Sequence, residues 1–150
     1  MKKVIVLMII LMGIISPVKA SDLETSWGNL LQLAGYGEEV PDFIAQEYGM
    51  QTMFTTYFYN PKDNKKAEID AILEALPEDS LIYTLDRKES DLDLKVRVYA
   101  VSGDKGNQVL MYQEVKYSRS PSEISIQYGT CNNWQLEQMK KGEIKFMPRM

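Results

Sequence analysis

A working thiol usually has an imidazole beside it, but this chain of 150 residues carries one cysteine, Cys131 in the stretch GTCNNW, and no histidine. The absence of imidazole rules out Ser-His and Cys-His dyads, histidine metal sites and imidazole acid–base chemistry. What remains is a serine–lysine arrangement, a carboxylate pair or an activated Cys131. Residues 123–131 (EISIQYGTC) alternate as a strand does, which is expected to place Cys131 on the polar face with Ser125, Gln127 and Gly129, just ahead of a helix capped by Asn132. A helix N-terminus lowers a thiol pKa. Set against that, free cysteine is among the most buried residue types, and the chain offers no second cysteine to resolve an oxidised sulfur. Packing is therefore the expected role of Cys131.

Carboxylates are densest in DRKESDLD, residues 86–93. Glu89, Asp91 and Asp93 alternate as in some calcium loops, but the turn glycine and closing glutamate are missing, and Arg87 and Lys88 compete for the charge. A solvated strand connection is expected there, not a metal site. GDKG at residues 103–106 lacks the strand-and-helix setting of a phosphate-binding loop. No catalytic constellation and no cofactor is called for by these residues.

One group of side chains points to binding. Arg97, Tyr99 and Lys95 alternate along residues 92–101, and the hairpin register derived below sets Arg97 opposite Tyr112. Arginine and tyrosine together are enriched at binding hot spots. Lys95, Arg97, Tyr99 and Tyr112 are therefore the candidate binding residues, on a face expected to be polar and solvated.

The elements that must hold these residues can be read from period and punctuation. Ser21 and Glu24 form a capping box ahead of Leu23, Trp27, Leu30, Leu31 and Ala34, so a helix is expected from about 22 to 34, with Gly35 and Gly37 as stops. PDFIAQEY, residues 41–48, suggests a short second helix. Residues 50–59, MQTMFTTYFY, fit a helical face or a strand; three threonines and four aromatics favour strand. Asn60 and Pro61 then open a helix with Ile69, Ile72, Leu73 and Leu76 on one side, stopped by Pro77.

Beyond Pro77 the period becomes two. Residues 80–87, 92–101, 108–117 and 123–131 read as four strands joined by short polar loops, which gives an antiparallel meander. In the SGDKGN hairpin, setting Val101 opposite Gln108 pairs Lys95 with Glu114 and Asp93 with Lys116 on one face. The same register sets Ala100, Val98 and Leu94 against Val109, Met111 and Val115 on the other. Agreement on both faces supports it, because a slip of one residue inverts every side chain. The next hairpin is expected to set Tyr117 against Ile124 and Val115 against Ile126. Asn132 with Gln135 opens a last short helix that Gly142 ends. The expected fold is a two-layer α+β domain over residues 21–150, with helices covering one face of a four- to five-stranded antiparallel sheet.

The N-terminus gives an address. MKK, the apolar run VIVLMIILMGII and the small residues Val18 and Ala20 have the layout of a secretory signal peptide over residues 1–20, cleaved before Ser21. Val4 to Ile15 is shorter than the roughly 20 residues a spanning helix needs, which disfavours an uncleaved anchor. The leader would take three of the 17 basic residues and none of the 21 acidic ones, leaving about −7. So acidic a chain is a poor partner for nucleic acid or anionic lipid. Without a disulfide, its fold rests on a hydrophobic core. These features suggest an exported bacterial protein, periplasmic or secreted, that acts without catalysis by binding a small ligand or another envelope protein. Two alternatives are a histidine-free enzyme using carboxylates or Cys131, and a chaperone or partner subunit working by strand addition.

Overall fold

Asp22 opens the first helix: its carboxylate accepts the Thr25 amide at 2.6 Å. The cap thus stands one residue later than the expected box at Ser21. The computed structural model describes residues 22–104 and 106–143; the expected leader over residues 1–20, Ser21, Lys105 of the SGDKGN turn and the tail after Glu143 lie outside the described residues. Helix α1 (Leu23–Ala34) buries Leu23, Trp27 and Leu30, four and three residues apart. It ends where Gly35 takes a left-handed conformation, φ 85°, and its amide returns to the Leu31 carbonyl.

A three-residue strand, β1 (Glu38–Val40), precedes the short helix α2 (Asp42–Glu47). Residues Thr52–Tyr59 form strand β2, in keeping with their β-branched and aromatic content. Asn60 does not cap the next helix as expected. It turns the chain with φ 47°, and helix α3 (Asp63–Glu74) starts three residues on, with Ile69 and Leu73 buried. A turn of 3₁₀ helix at Glu78–Ser80 leads into strands β3 (Leu81–Lys88), β4 (Leu92–Gly103), β5 (Gly106–Tyr117) and β6 (Glu123–Cys131). The last helix, α4 (Asn133–Lys140), carries the expected reciprocal cap: Asn132 Oδ1 accepts from the Gln135 amide, and Gln135 Oε1 from the Asn132 amide.

The architecture is α+β. All six strands join one antiparallel sheet in the order β1-β2-β6-β5-β4-β3, where four to five strands were expected. The meander β3 to β6 is extended by β2, which pairs along β6 from Thr52↔Thr130 to Tyr59↔Glu123. The β4–β5 hairpin has the derived register, including Lys95↔Glu114, Arg97↔Tyr112 and Val98↔Met111.

The β5–β6 register does not. Val115 pairs with Glu123 and Tyr112 with Ile126, three residues away from expectation. Pro121 has no amide to offer a ladder, and pairing begins only at Glu123. A shift of three exchanges faces, so Ile124 and Ile126 join Tyr112 on the face that was expected to be polar.

Both faces are therefore covered, and the expected two layers become three. One core gathers Val96, Val98, Val109, Met111, Met53 and Cys131 beneath Ala45 of α2 and Leu136 and Met139 of α4. The other gathers Tyr99, Leu110, Tyr112, Ile124, Ile126 and Phe58 beneath Leu23, Trp27 and Leu30 of α1 and Ile69 and Leu73 of α3. Trp27 also stacks on Tyr128, with ring centroids 5.7 Å apart. No helix among the described residues is long and apolar enough to cross a membrane.

Candidate functional site

Lys95, Arg97 and Tyr99 alternate on β4 and point to the same face as Tyr112, Glu114 and Lys116 of β5, as their pairing requires. Above them runs α3, whose Lys66, Asp70 and Glu74 recur every fourth residue along one side. Between helix and strands two clefts adjoin. The larger, about 330 Å³, is lined by Lys66, Asp70, Lys95, Glu114 and Lys116 among others. The smaller, about 180 Å³, is lined by Asp70, Leu73, Lys95, Arg97, Tyr99 and Tyr112 with Glu74. Thus the four residues singled out from sequence line one cleft. Lys95 and Asp70 belong to both.

Their surroundings differ from the open solvent face that was expected. Tyr112 is 1% exposed and Tyr99 9%. The Tyr112 hydroxyl donates to Glu114 Oε1 at 3.0 Å, and burial, followed by the Glu114 charge, pushes its pKa well up. Burial likewise raises Tyr99. Both side chains form part of the wall of the smaller cleft.

Glu114 was expected to form an exposed pair with Lys95, yet it is buried and pairs with the helix above. Lys66 Nζ stands 2.5 Å from Glu114 Oε2, and Lys116 Nζ stands 3.8 Å from the same oxygen. Burial alone pushes the carboxyl up, but the Lys66 ammonium, the Tyr112 hydroxyl and the Lys116 charge together hold it below the usual carboxylate range. For Lys66, burial pulls downward and the Glu114 contact more than reverses it. This ion pair fastens α3 to β5 at the floor of the larger cleft.

Arg97 is turned away from Tyr112 toward the neighbouring strand. Its Nη2 donates to both carboxylate oxygens of Asp86 at 3.1 Å, and Nη1 donates to the Val96 carbonyl at 2.7 Å. Lys95 is different. Among the described residues, neither Lys95 nor Asp70 takes part in an ion pair, although both are half-buried and line the same clefts. The Tyr99 hydroxyl also makes no hydrogen bond among the described residues.

Sequence reasoning placed Glu114 on this face but missed its burial, and it missed the contribution of Lys66 and Asp70. The fourfold spacing on α3 was visible, but nothing in the sequence told which strands that side of the helix would overlie.

Elsewhere, Cys131 does share a strand face with Ser125, Gln127 and Gly129, but that face is the core beneath α4. The thiol is 3% exposed, and burial pushes its pKa up to about 11, away from nucleophile values. Glu89 and Asp91 lie exposed at the β3–β4 turn. Among the described residues no three potential metal-ligating side chains gather. The chain matches no family model, no curated protein and no solved structure to which it was compared.

Proposed function

We propose that the chain is an exported, non-enzymatic binding domain of the bacterial envelope, periplasmic or secreted, which holds a small polar ligand in the cleft between α3 and β4–β5. The observation that carries this reading is convergence: Lys95, Asp70 and the Tyr99 hydroxyl line one concave site, and among the described residues none of the three makes a side-chain hydrogen bond or an ion pair. A few oriented polar groups in a preformed concavity are what ligand sites offer; the larger cleft, 330 Å³, stands at the small end of the range of about 300–1,000 Å³ for such sites, and the smaller, 180 Å³, falls below it. The leader-like N-terminus and the acidic composition supply the address.

The rival readings have less support. A carboxyl that moves protons near neutrality needs a pKa raised toward 7, and Glu114 is held low. Thiol chemistry is opposed by the burial of Cys131. Strand addition would use the eight-residue edge strand β3. That edge carries an irregularity between Leu81 and Tyr83 and the charged run Asp86-Arg87-Lys88, devices that discourage pairing with another chain.

A small-molecule extract of the producing cells, added to ¹⁵N-labelled protein, should shift backbone amide resonances around Asp70, Lys95 and Tyr99. Lys95→Met should abolish those shifts while leaving the spectrum of the free protein dispersed. An extract that perturbs no cleft resonance at any concentration would overturn the reading.

A further inference from the structure

We propose that the ligand is a small zwitterion of the α-amino-acid type, its ammonium group against Asp70 and its carboxylate against Lys95. This rests on the cleft being a ligand site, as argued above, and deepens it from the charge arrangement. Five of the other charged residues that line the clefts are paired. Glu114 has Lys66 and Lys116, and Asp86 has Arg97. Arg87, Lys88 and Asp93, which also line the larger cleft, and Glu74, which lines the smaller, are exposed to solvent. That leaves Lys95 and Asp70, half-buried, on the seam where the two clefts join. They are close enough to share both clefts, yet their charged atoms stand beyond ion-pairing distance of each other.

One positive and one negative group held apart in a partly desolvated cleft select against singly charged ligands. A simple anion attracted to Lys95 meets the carboxylate of Asp70, with Glu74 in the same wall. A simple cation attracted to Asp70 meets Lys95. Like-charge contact of this kind costs more as water is excluded. Only a molecule carrying both signs, spaced to bridge the pair, satisfies both groups at once. The Tyr99 hydroxyl can donate to a carboxylate beside Lys95, and Leu73 gives the smaller cleft an apolar wall for a side chain.

The test uses the labelled protein and defined probes: glycine, norvaline, glutamine, lysine and glutamate, followed by pentanoate and butylamine, which are norvaline without its ammonium and without its carboxylate. At least one amino acid should give saturable shifts at Asp70, Lys95 and Tyr99. If that probe is norvaline, pentanoate and butylamine should each bind about tenfold or more weakly, the usual consequence of losing one charge-assisted contact. Asp70→Asn and Lys95→Met should each abolish binding while retaining a dispersed spectrum. Pentanoate or butylamine binding as tightly as norvaline would overturn the zwitterion proposal and leave a simple ion site. Cleft shifts with cell extract but with none of the five amino acids would overturn the proposal alone. Silence from extract and amino acids alike would remove the ligand site with it.

Discussion

Glu114 shows how the environment decides what a side chain does. From sequence it is one half of an exposed pair with Lys95; in the fold it is buried and belongs to Lys66. Its carboxyl is held low, so its contribution to stability is complete above the unfolded value of about 4.3 and is lost as pH falls through the lower folded value. Lys66 is raised, so its contribution is complete below about 10.4 and is lost as pH rises through the higher folded value. Lys66→Met removes the nearest cation and leaves the Tyr112 hydroxyl and the Lys116 charge to oppose burial. The carboxyl should then titrate higher than in the wild type, so the variant should lose less stability than the wild type as pH falls from 7 to below about 4. At neutral pH the loss should be about 1 to 3 kcal/mol, the cost of leaving a buried charged group short of its partner. Urea melts of both proteins across this range check it, and parallel profiles would mean that Lys66 does not control Glu114. The four residues Lys95, Arg97, Tyr99 and Tyr112 were legible as neighbours because strand alternation fixes which side each takes. Their burial was not legible: a tyrosine suits a wet face or a covered one, and the covering helix is distant in sequence.

The β4–β5 hairpin was readable because charges agreed on one face and aliphatic side chains on the other, so two constraints fixed one register. The β5–β6 hairpin had no charge pairs to arbitrate. Its apolar residues fit either face, and the loop around Pro121 set the answer. Val98 is fully buried in the hairpin whose register was legible, and Val98→Ala should cost about 1 to 3 kcal/mol through lost burial and a residual cavity. Two glycines give a sharper contrast. A Cβ at Gly129 of β6 would overlap the Thr52 carbonyl of β2 and crowd the Met50 side chain, whereas one at Gly28 on the exposed side of α1 meets nothing within 4 Å. Gly129→Ala should therefore force the two strands apart and destabilise by about 3 kcal/mol. Gly28→Ala should stabilise by about 0.5 to 1 kcal/mol, since alanine suits a helix interior better than glycine does. Thermal or denaturant melts of the pair decide it; equal effects would mean that β2 and β6 do not approach so closely.

For the whole molecule, the sequence indicated an antiparallel meander with helices before and after it, and the α+β architecture follows that outline. The third layer was missed for a physical reason. A strand covered on one face and a strand covered on both look alike when its second face carries tyrosine, threonine and glutamine, which tolerate either setting. The strand β1 was missed because three residues, Glu38–Val40, are too few to show a period. Export is the property on which the envelope reading depends: protein recovered from its own host should begin at Ser21 by intact-mass measurement. A mass that includes residues 1–20 would remove the address while leaving the cleft untouched.

The pairing of β2 with β6 joins residues 78 positions apart, Thr52 to Thr130. A chain that emerges from the ribosome or a translocon N-terminal end first therefore delivers an aromatic strand long before its partner exists. Until residue 123 has appeared, Phe54, Tyr57 and Phe58 stand on a strand whose inner edge is open, and closing so long a loop is slow. Truncation within the last strand would then release a sticky intermediate, not a smaller working protein. Birth order makes the final third of this molecule the guardian of its beginning.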